Sequence, residues 1–396
     1  MNKFLRAVLI FYLVFFSLMS FSQDESEPKK KLPDILQLNG YVKDLQVVSF
    51  GNNLDSIITD NLVHNRLNLK AYLSNSITAA VEIRNRIFYG ERVKMTPGFG
   101  QFVDVDDGYF DLSWLIVDKN SLVIHSIIDR AWMNWSADKW DIRLGRQRIN
   151  WGVNLVWNPN DLFNVFNYID FDYEERPGSD ALRIQYYRTD ISSIELAVKP
   201  GKNKNETVIA GMYKFNKWNY DFQFLGSLYY EDIAIGAGWA GNLKNAGFKG
   251  EATYFHPKNN ITDTSGVLNV SVSYDYSFKN AVYIHGSVLY NSNGTSDIMS
   301  ISQTDVFSSA LSAKNLMPTK FSLFGQVSGN VTPLLRADLA GIYGTGLNIL
   351  FAMPSLSYSI KENWEIVLLG QMFFMKSSGA NGNIGNSVYI RLKWSF

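Results

Sequence analysis

Arginines set on alternating segments, with acids in the stretches between them, carry most of the chemistry this chain can offer. Arg66, Arg84, Arg86, Arg130, Arg143, Arg146, Arg148 and Arg183 all fall where side chains alternate in character. Between and after those segments come Asp104, Asp106, Asp107 and Asp111, then Asp161, Asp170, Asp172, Glu174, Glu175 and Asp180. Guanidinium groups facing carboxylates bind and orient ions and dipolar solutes; they make and break no bonds. Groups that would do covalent work are scarce. The chain has no Cys, which removes disulfides, thiolate metal sites and Cys nucleophiles. His64, His125, His256 and His285 stand at no metal-ligand spacing such as His-x-x-x-His. His285 and Ser287 share a strand face about 7 Å apart, too far for a direct hydrogen bond without distortion. Gly344-Thr345-Gly346 lacks the Lys of a phosphate loop. No catalytic residue, metal or cofactor is therefore expected.

The elements that must hold these charges read as β-strands of period 2. Arg66, Asn68, Lys70 and Tyr72 alternate with Leu67, Leu69, Ala71 and Leu73, and Glu82, Arg84 and Arg86 with Ile77, Ala79, Val81 and Ile83. Later segments repeat the pattern: Arg183 and Gln185 against Leu182, Ile184 and Tyr186; Lys249 and Glu251 against Phe248, Ala252 and Tyr254; Asn269, Ser271, Ser273 and Asp275 against Val270, Val272 and Tyr274. Strands are predicted at 36–50, 61–73, 76–89, 123–136, 139–149, 180–188, 191–199, 206–215, 218–229, 231–241, 246–255, 266–277, 280–290, 319–328, 333–343, 347–360, 363–375 and 386–396. Connections after even-numbered strands are tight turns. Those after most odd-numbered strands are longer: 51–60, 90–122, 150–179, 200–205, 256–265, 291–318 and 376–385. Short and long connections thus fall on opposite ends, as in a transmembrane antiparallel β-barrel of about 18 strands, with about 16 as the next choice. A propeller or sandwich has no reason to sort its loops this way. The uncharged stretch Leu339–Ile360 is long enough for a membrane helix, but Gly341, Gly344 and Gly346 and the alternation at 355–360 fit two strands better.

Composition agrees with an all-β wall. Mean hydropathy is −0.09, too low for a helical membrane bundle, while aromatic residues make up 14% of the chain, as interfacial girdles require. Lys3 and Arg6 precede an uncharged apolar run, Ala7 to Met19, with Ser20 and Ser22 placed as the small residues of a cleavage site, so residues 1–22 read as a signal peptide. Its apolar run of about 13 residues spans roughly 20 Å as a helix, short of about 30 Å of hydrocarbon. Residues 23–35 read as a periplasmic linker and 36–396 as the barrel. Removing the leader leaves 35 basic against 37 acidic residues, with no cationic excess to release counterions, so nucleic acid is excluded as a partner.

The final segment sets Val388, Ile390, Leu392, Trp394 and Phe396 against Tyr389, Arg391, Lys393 and Ser395. It resembles the C-terminal signature of Gram-negative outer-membrane β-barrels, in which a closing strand ending in Phe is read by the barrel assembly machinery; Trp394 and Phe396 are the residues that would carry that signal. Residues 143–187 add a Gly-Arg-Gln strand followed by Trp-Gly, Asn-Pro and Arg-Pro-Gly. That pattern is similar to uncharacterised outer-membrane porin-like families, and the resemblance implies a porin-like barrel with an ordered loop in its lumen. It implies no substrate.

The inserted loop is too long and too apolar to lie free in water. A short helix is predicted over Leu162–Tyr168, capped by Asp161. Trp151, Trp157, Phe163 and Tyr168 could stack on sugar rings, or could anchor the loop against the wall. A polar-lined barrel of this width leaves an aqueous channel. The expected function is passive diffusion of small hydrophilic solutes or ions in the outer membrane, both termini periplasmic, with Arg66, Glu82, Arg84, Arg86, Arg130, Arg143, Arg183, Asp161, Asp172, Glu174 and Glu175 lining the pore or its constriction. A substrate-specific channel or exporter for a saccharide or organic anion, and a non-conducting assembly barrel, remain the alternatives. Expected partners are outer-membrane lipid, the assembly machinery and the solutes, with a homo-oligomer left open.

Overall fold

The computed structural model describes residues 35–396, apart from 52–53, 55, 166–167, 169, 171, 173–174, 260–261, 263–264, 296–310 and 378–379. The expected leader, nearly all of the expected linker, and Glu174 lie outside the described residues. The strands are β1 (Leu36–Phe50), β2 (Ile57–Tyr72), β3 (Ile77–Gly90), β4 (Ser113–Lys119), β5 (Leu122–Ala137), β6 (Trp140–Gln147), β7 (Ser179–Thr189), β8 (Ser192–Lys199), β9 (Val208–Lys217), β10 (Tyr220–Tyr229), β11 (Asp232–Leu243), β12 (Ala246–Pro257), β13 (Val267–Ser277), β14 (Tyr283–Asn291), β15 (Phe321–Asn330), β16 (Leu335–Gly344), β17 (Ile349–Lys361), β18 (Trp364–Ser377) and β19 (Ala380–Ser395). Two single-turn helices, α1 (Glu91–Met95) and α2 (Phe99–Val103), follow β3.

Every strand runs antiparallel to its neighbour, and β19 pairs with β1 from Tyr41↔Ser395 to Phe50↔Asn386. The sheet is therefore closed. β3 pairs directly with β5, while β4 pairs only with β5, against its residues 122–127. β4 is thus an extra piece laid along the β5 edge beyond the end of β6, and the wall itself is a ring of 18 strands. That count, and closure by the last strand on the first, match the sequence reading. The expected connection over 376–385 does not: β18 and β19 run on through most of it, leaving 378–379 between them.

Alternation sorts the two faces. Along β8 burial reads strictly every second residue, with Ser193, Glu195 and Ala197 buried and Ile194, Leu196 and Val198 exposed. Outward positions on many other strands carry exposed apolar side chains too, among them Leu69, Leu144, Ile235, Leu323, Leu356 and Ile390. Turns at one end are tight. At Trp218 and Asn219, φ is 56° and 61°, the pair of positive values that a two-residue hairpin needs to match strand twist. The uncharged stretch Leu339–Ile360 splits between β16 and β17, as expected.

One irregularity bears on the lumen. Between β3 and β5 the register jumps from Glu82↔Arg130 to Ile83↔Ile128, so Asp129 is an extra residue in β5. A bulge re-aims side chains. Here it breaks the alternation and lets adjacent Asp129 and Arg130 both serve the inner face.

Candidate functional site

The described residues of 148–178, between β6 and β7, lie inside the ring and meet its wall on two sides. Gly145 in β6 has φ 116°, and a Cβ there would stand 2.2 Å from the Ala131 carbonyl oxygen, so the Gly-Arg-Gln strand needs its glycine. A Cβ on Gly152 would come within 2.3 Å of Asn158 Oδ1, inside the fold of the loop.

Against β8–β13 the contact is apolar and hydrogen-bonded. Trp151 is 1% exposed and packs with Phe163, Ala197, Met212, Leu225 and Phe255. Glu251, fully buried on β12, accepts N–H groups from Val153 at 2.5 Å and Asn154 at 2.9 Å on one oxygen and from Asn160 at 3.0 Å on the other. Gln223 donates to the Trp151 carbonyl at 2.7 Å, and the Trp151 indole donates to Glu195 at 2.7 Å. Further round, Val156 and Trp157 pack on Leu289, Phe324, Ala340, Ile342 and Phe351 of β14–β17. Trp151 and Phe163 meet edge to face at 5.2 Å, Trp157 and Tyr168 both meet Phe324, and Trp151, Trp157 and Phe163 are buried. Trp151, Trp157 and Phe163 therefore have no open face for a sugar, while Tyr168 is half-buried against Phe324. They anchor the loop. Among the described residues of the predicted helix, Leu162–Val165 and Tyr168, none is helical, and Asp161 N and Leu162 N bond instead to Asn158 O and Asn160 O in tight turns.

Against β1, β2, β3 and β5 the contact is ionic. Lys43, fully buried, reaches Asp172 Oδ1 at 2.8 Å and the Asp172 carbonyl at 2.6 Å; His64 Nδ1 lies 3.1 Å from Asp172 Oδ2. Burial alone would raise the Asp172 carboxyl, but the hydrogen bond with His64 and the Lys43 ammonium outweigh it and hold it below the usual range. Tyr41 donates to Glu175 at 2.7 Å, and Arg130 donates to the carbonyls of Glu175 and Arg176. Behind them in the wall, Asp129 bridges Arg66 and Arg84, Glu82 takes Arg66 at 2.5 Å, and Arg130 Nε stands 3.4 Å from Glu82. Lys43, Arg66, Arg84 and Arg130 are thereby matched one for one by Glu82, Asp129, Asp172 and Glu175.

The remaining candidates are dispersed. Arg143 and Arg183 are cross-strand partners; Arg143 bonds Asn134 and lies over Trp132 at 4.2 Å, and Arg183 pairs with Glu195 at 2.9 Å. Arg86 sits further along β3, where it donates to the Val103 carbonyl and faces His125, itself 3.1 Å from Asp104. Arg146 is not on the inner face: it shares the register of outward Leu144 and Leu182 and is locked by Asp180, Asp106 and the Phe110 carbonyl, sealing the corner between β4, β6 and β7. Asp161 is fully buried, 3.9 Å from Arg176, and desolvation pushes its carboxyl up to about 8, with Arg176 opposing and Glu251 adding to the rise. His285 and Ser287 face inward, and Ser287 is spent on the Val272 carbonyl, so they form no hydrolase pair. The sequence reading placed Glu251 on the inner face but missed its three bonds to the loop. It also missed Asp129, although two charged neighbours in an alternating strand mark a bulge. Nor did it single out Lys43 and Tyr41 as the loop's docking groups.

These features define a closed antiparallel barrel with a loop drawn into its lumen. No family model matches the chain, and no curated protein does. Solved structures do. OccAB4 of Acinetobacter baumannii aligns with TM-score 0.56 at 9% identity, covering 93% of this chain and 100% of that one. The outer membrane protein OprD of Pseudomonas aeruginosa gives 0.59 at 7% identity over 91% and 93%, and OpdK of the same organism 0.57 at 6% over 91% and 98%. At such identities the likeness establishes the fold.

Proposed function

We propose that this protein is an outer-membrane channel through which small hydrophilic solutes or ions diffuse, narrowed by residues 148–178. The observation that carries the reading is the ring itself: 18 strands, apolar outside, with buried charge and amide groups inside. A ring of this size is wide enough for an aqueous lumen. The solved neighbours described as outer membrane proteins support the same placement. On this reading residues 1–22 are a leader, 23–35 a periplasmic linker, the tight turns face the periplasm, and Trp394 and Phe396 engage the assembly machinery. Phe396 is bonded both ways to Gly40 at 3.0 Å, which suits a closing signal.

Arg66, Arg84, Arg86, Arg130, Arg143 and Arg183, with Glu82, Asp172 and Glu175, set the electrostatics of the passage. The test is conductance in planar bilayers. Charge reversal of Arg84 and Arg86 together should move permeability from anions toward cations, and an unchanged ratio would sink the assignment. A second reading, a barrel held shut, draws on the loop's contacts with both sides of the wall. It expects no conductance until the loop is cut away.

A further inference from the structure

Among the described residues, mid-strand outward positions on β7–β18 hold aliphatic or aromatic side chains or glycine, as at Leu196, Ile235, Val270 and Leu356. On β1, β2, β3 and β5 the outer face is different. Lys43 reaches Asp172 inside the ring, so its neighbour Asp44 faces out, and by alternation Gln46 does too. Asn61 is the cross-strand partner of Gln46. Asn65 and Asn85 pair across β2 and β3, each beside an inward arginine, and Ser126 of β5 stands opposite Asn85. This polar patch lies within the apolar band: Val42, Val48 and Phe50 share its face on β1, and Asp44 and Gln46 stand level with Leu392 and Ile390 of β19. Its groups bond to one another. Gln46 donates to the Asp44 carboxylate at 3.2 and 3.0 Å, Ser126 to Asn85 at 2.7 Å, Asn85 to Asn65 at 3.1 Å, and Asn65 to the Tyr41 carbonyl at 3.1 Å. Such a network still turns a carboxylate and several amides toward hydrocarbon, which solvates neither, and polar groups at membrane depth mark contact with protein. Trp114 of β4, opposite Ser126 and 50% exposed, supplies an aromatic anchor at the border of the patch.

We propose that this patch is the interface between two copies of the chain, related by a two-fold axis along the membrane normal. A primary amide both donates and accepts, so a surface rich in Asn and Gln complements itself. The rest of the mid-strand wall is apolar, so the polar surface a second copy brings is the same patch, which selects a two-fold contact over a ring of three. An axis passing near β2 sets β1 of one copy against β3 and β5 of the other, turning each Asp44 toward amide N–H groups and away from its own image. The inference rests on the outer wall facing lipid, not on conduction. The chain has no Cys, so single cysteines report contacts without background. Val63, outward on β2 between Asn61 and Asn65, lies near the axis. In outer membranes of an expressing Gram-negative host, Val63→Cys should give a disulfide-linked dimer under mild oxidation, while Ile235→Cys on the far wall should stay monomeric. Light scattering of the full chain in dodecyl maltoside should find two copies per particle. Asp44→Leu with Asn85→Leu should weaken that association about tenfold, equal to about 1.4 kcal/mol, with the heat-dependent gel mobility of a folded barrel unchanged. The cysteine readout keeps every polar group of the patch, so it decides even where the leucine variant fails to fold. No Val63→Cys cross-link, equal cross-linking from Ile235→Cys, three copies per particle, or a Val63→Cys adduct with a different protein would overturn the proposal. A chain absent from the membrane fraction would remove the lipid-facing wall itself, and the interface with it. No current is read, so a barrel that failed to conduct would still answer.

Discussion

The inserted loop meets two walls that hold it by different physics. On β8–β17 it is packed: Trp151, Trp157 and Phe163 are buried against aliphatic and aromatic wall residues, and Glu251 collects three of its N–H groups. On β1–β3 and β5 it is charged: Asp172 and Glu175 settle on Lys43, His64 and Tyr41, in front of Arg66, Arg84 and Arg130. Packing is short-ranged and indifferent to salt; a balanced charge cluster sets the potential a passing ion feels. One side fixes where the loop lies. The other, on the proposed function, fixes what the opening prefers.

Loss of one wall carboxylate on each side should separate the two roles. Asp129→Asn leaves Arg66 and Arg84 short of a shared partner, and breaking a buried pair costs about 3–5 kcal/mol. Thermal melts should fall accordingly, and reversal potentials should move toward anion preference. Glu251→Gln puts a donor amide where N–H groups now point, at about 1–3 kcal/mol for the group left unsatisfied. Its expected signature is noisier single-channel current and faster amide exchange in 148–165, with selectivity unchanged. If the two variants give the same readout, the division between the walls is wrong.

Why the ring was legible and the docking was not follows from the same contrast. Period 2 is written into each strand, because one side of Leu182, Arg183 and Ile184 must be apolar whatever its neighbours do. The closing register of β19 on β1 follows once the strand order is known. Loop docking depends on which wall positions come together in space, and Glu251 and Asn160 are far apart in the chain. Buried aromatic rings also look like stacking surfaces in sequence: Trp151 and Trp157 differ from ligand-facing rings only in what the wall places against them. Asp129 was hidden by a bulge that shifts the face of every residue beyond it.

The third test varies pH and is the gentlest. Asp161 sits at the seam, buried between Arg176 on the ionic side and Glu251 on the packed side, and its carboxyl is pushed up to about 8 chiefly by burial. The folded chain therefore binds this proton more tightly than the unfolded chain, whose carboxyl keeps the ordinary value of 3.8. Docking strength in the loop should then be greatest below pH 4, decline as pH rises from about 4 to about 8, and level off above that. Asp172, held low, works oppositely: its ion pair persists through this whole window and fails only in stronger acid. Amide exchange in 158–165, corrected for intrinsic rates, should thus quicken with pH in the native chain and lose part of that extra slope in Asp161→Asn. The melting of the ring should hardly respond, because a loop can open locally while the strand ladder stays closed. An identical slope in both proteins would place the buried charge elsewhere and remove Asp161 from the seam between the two walls.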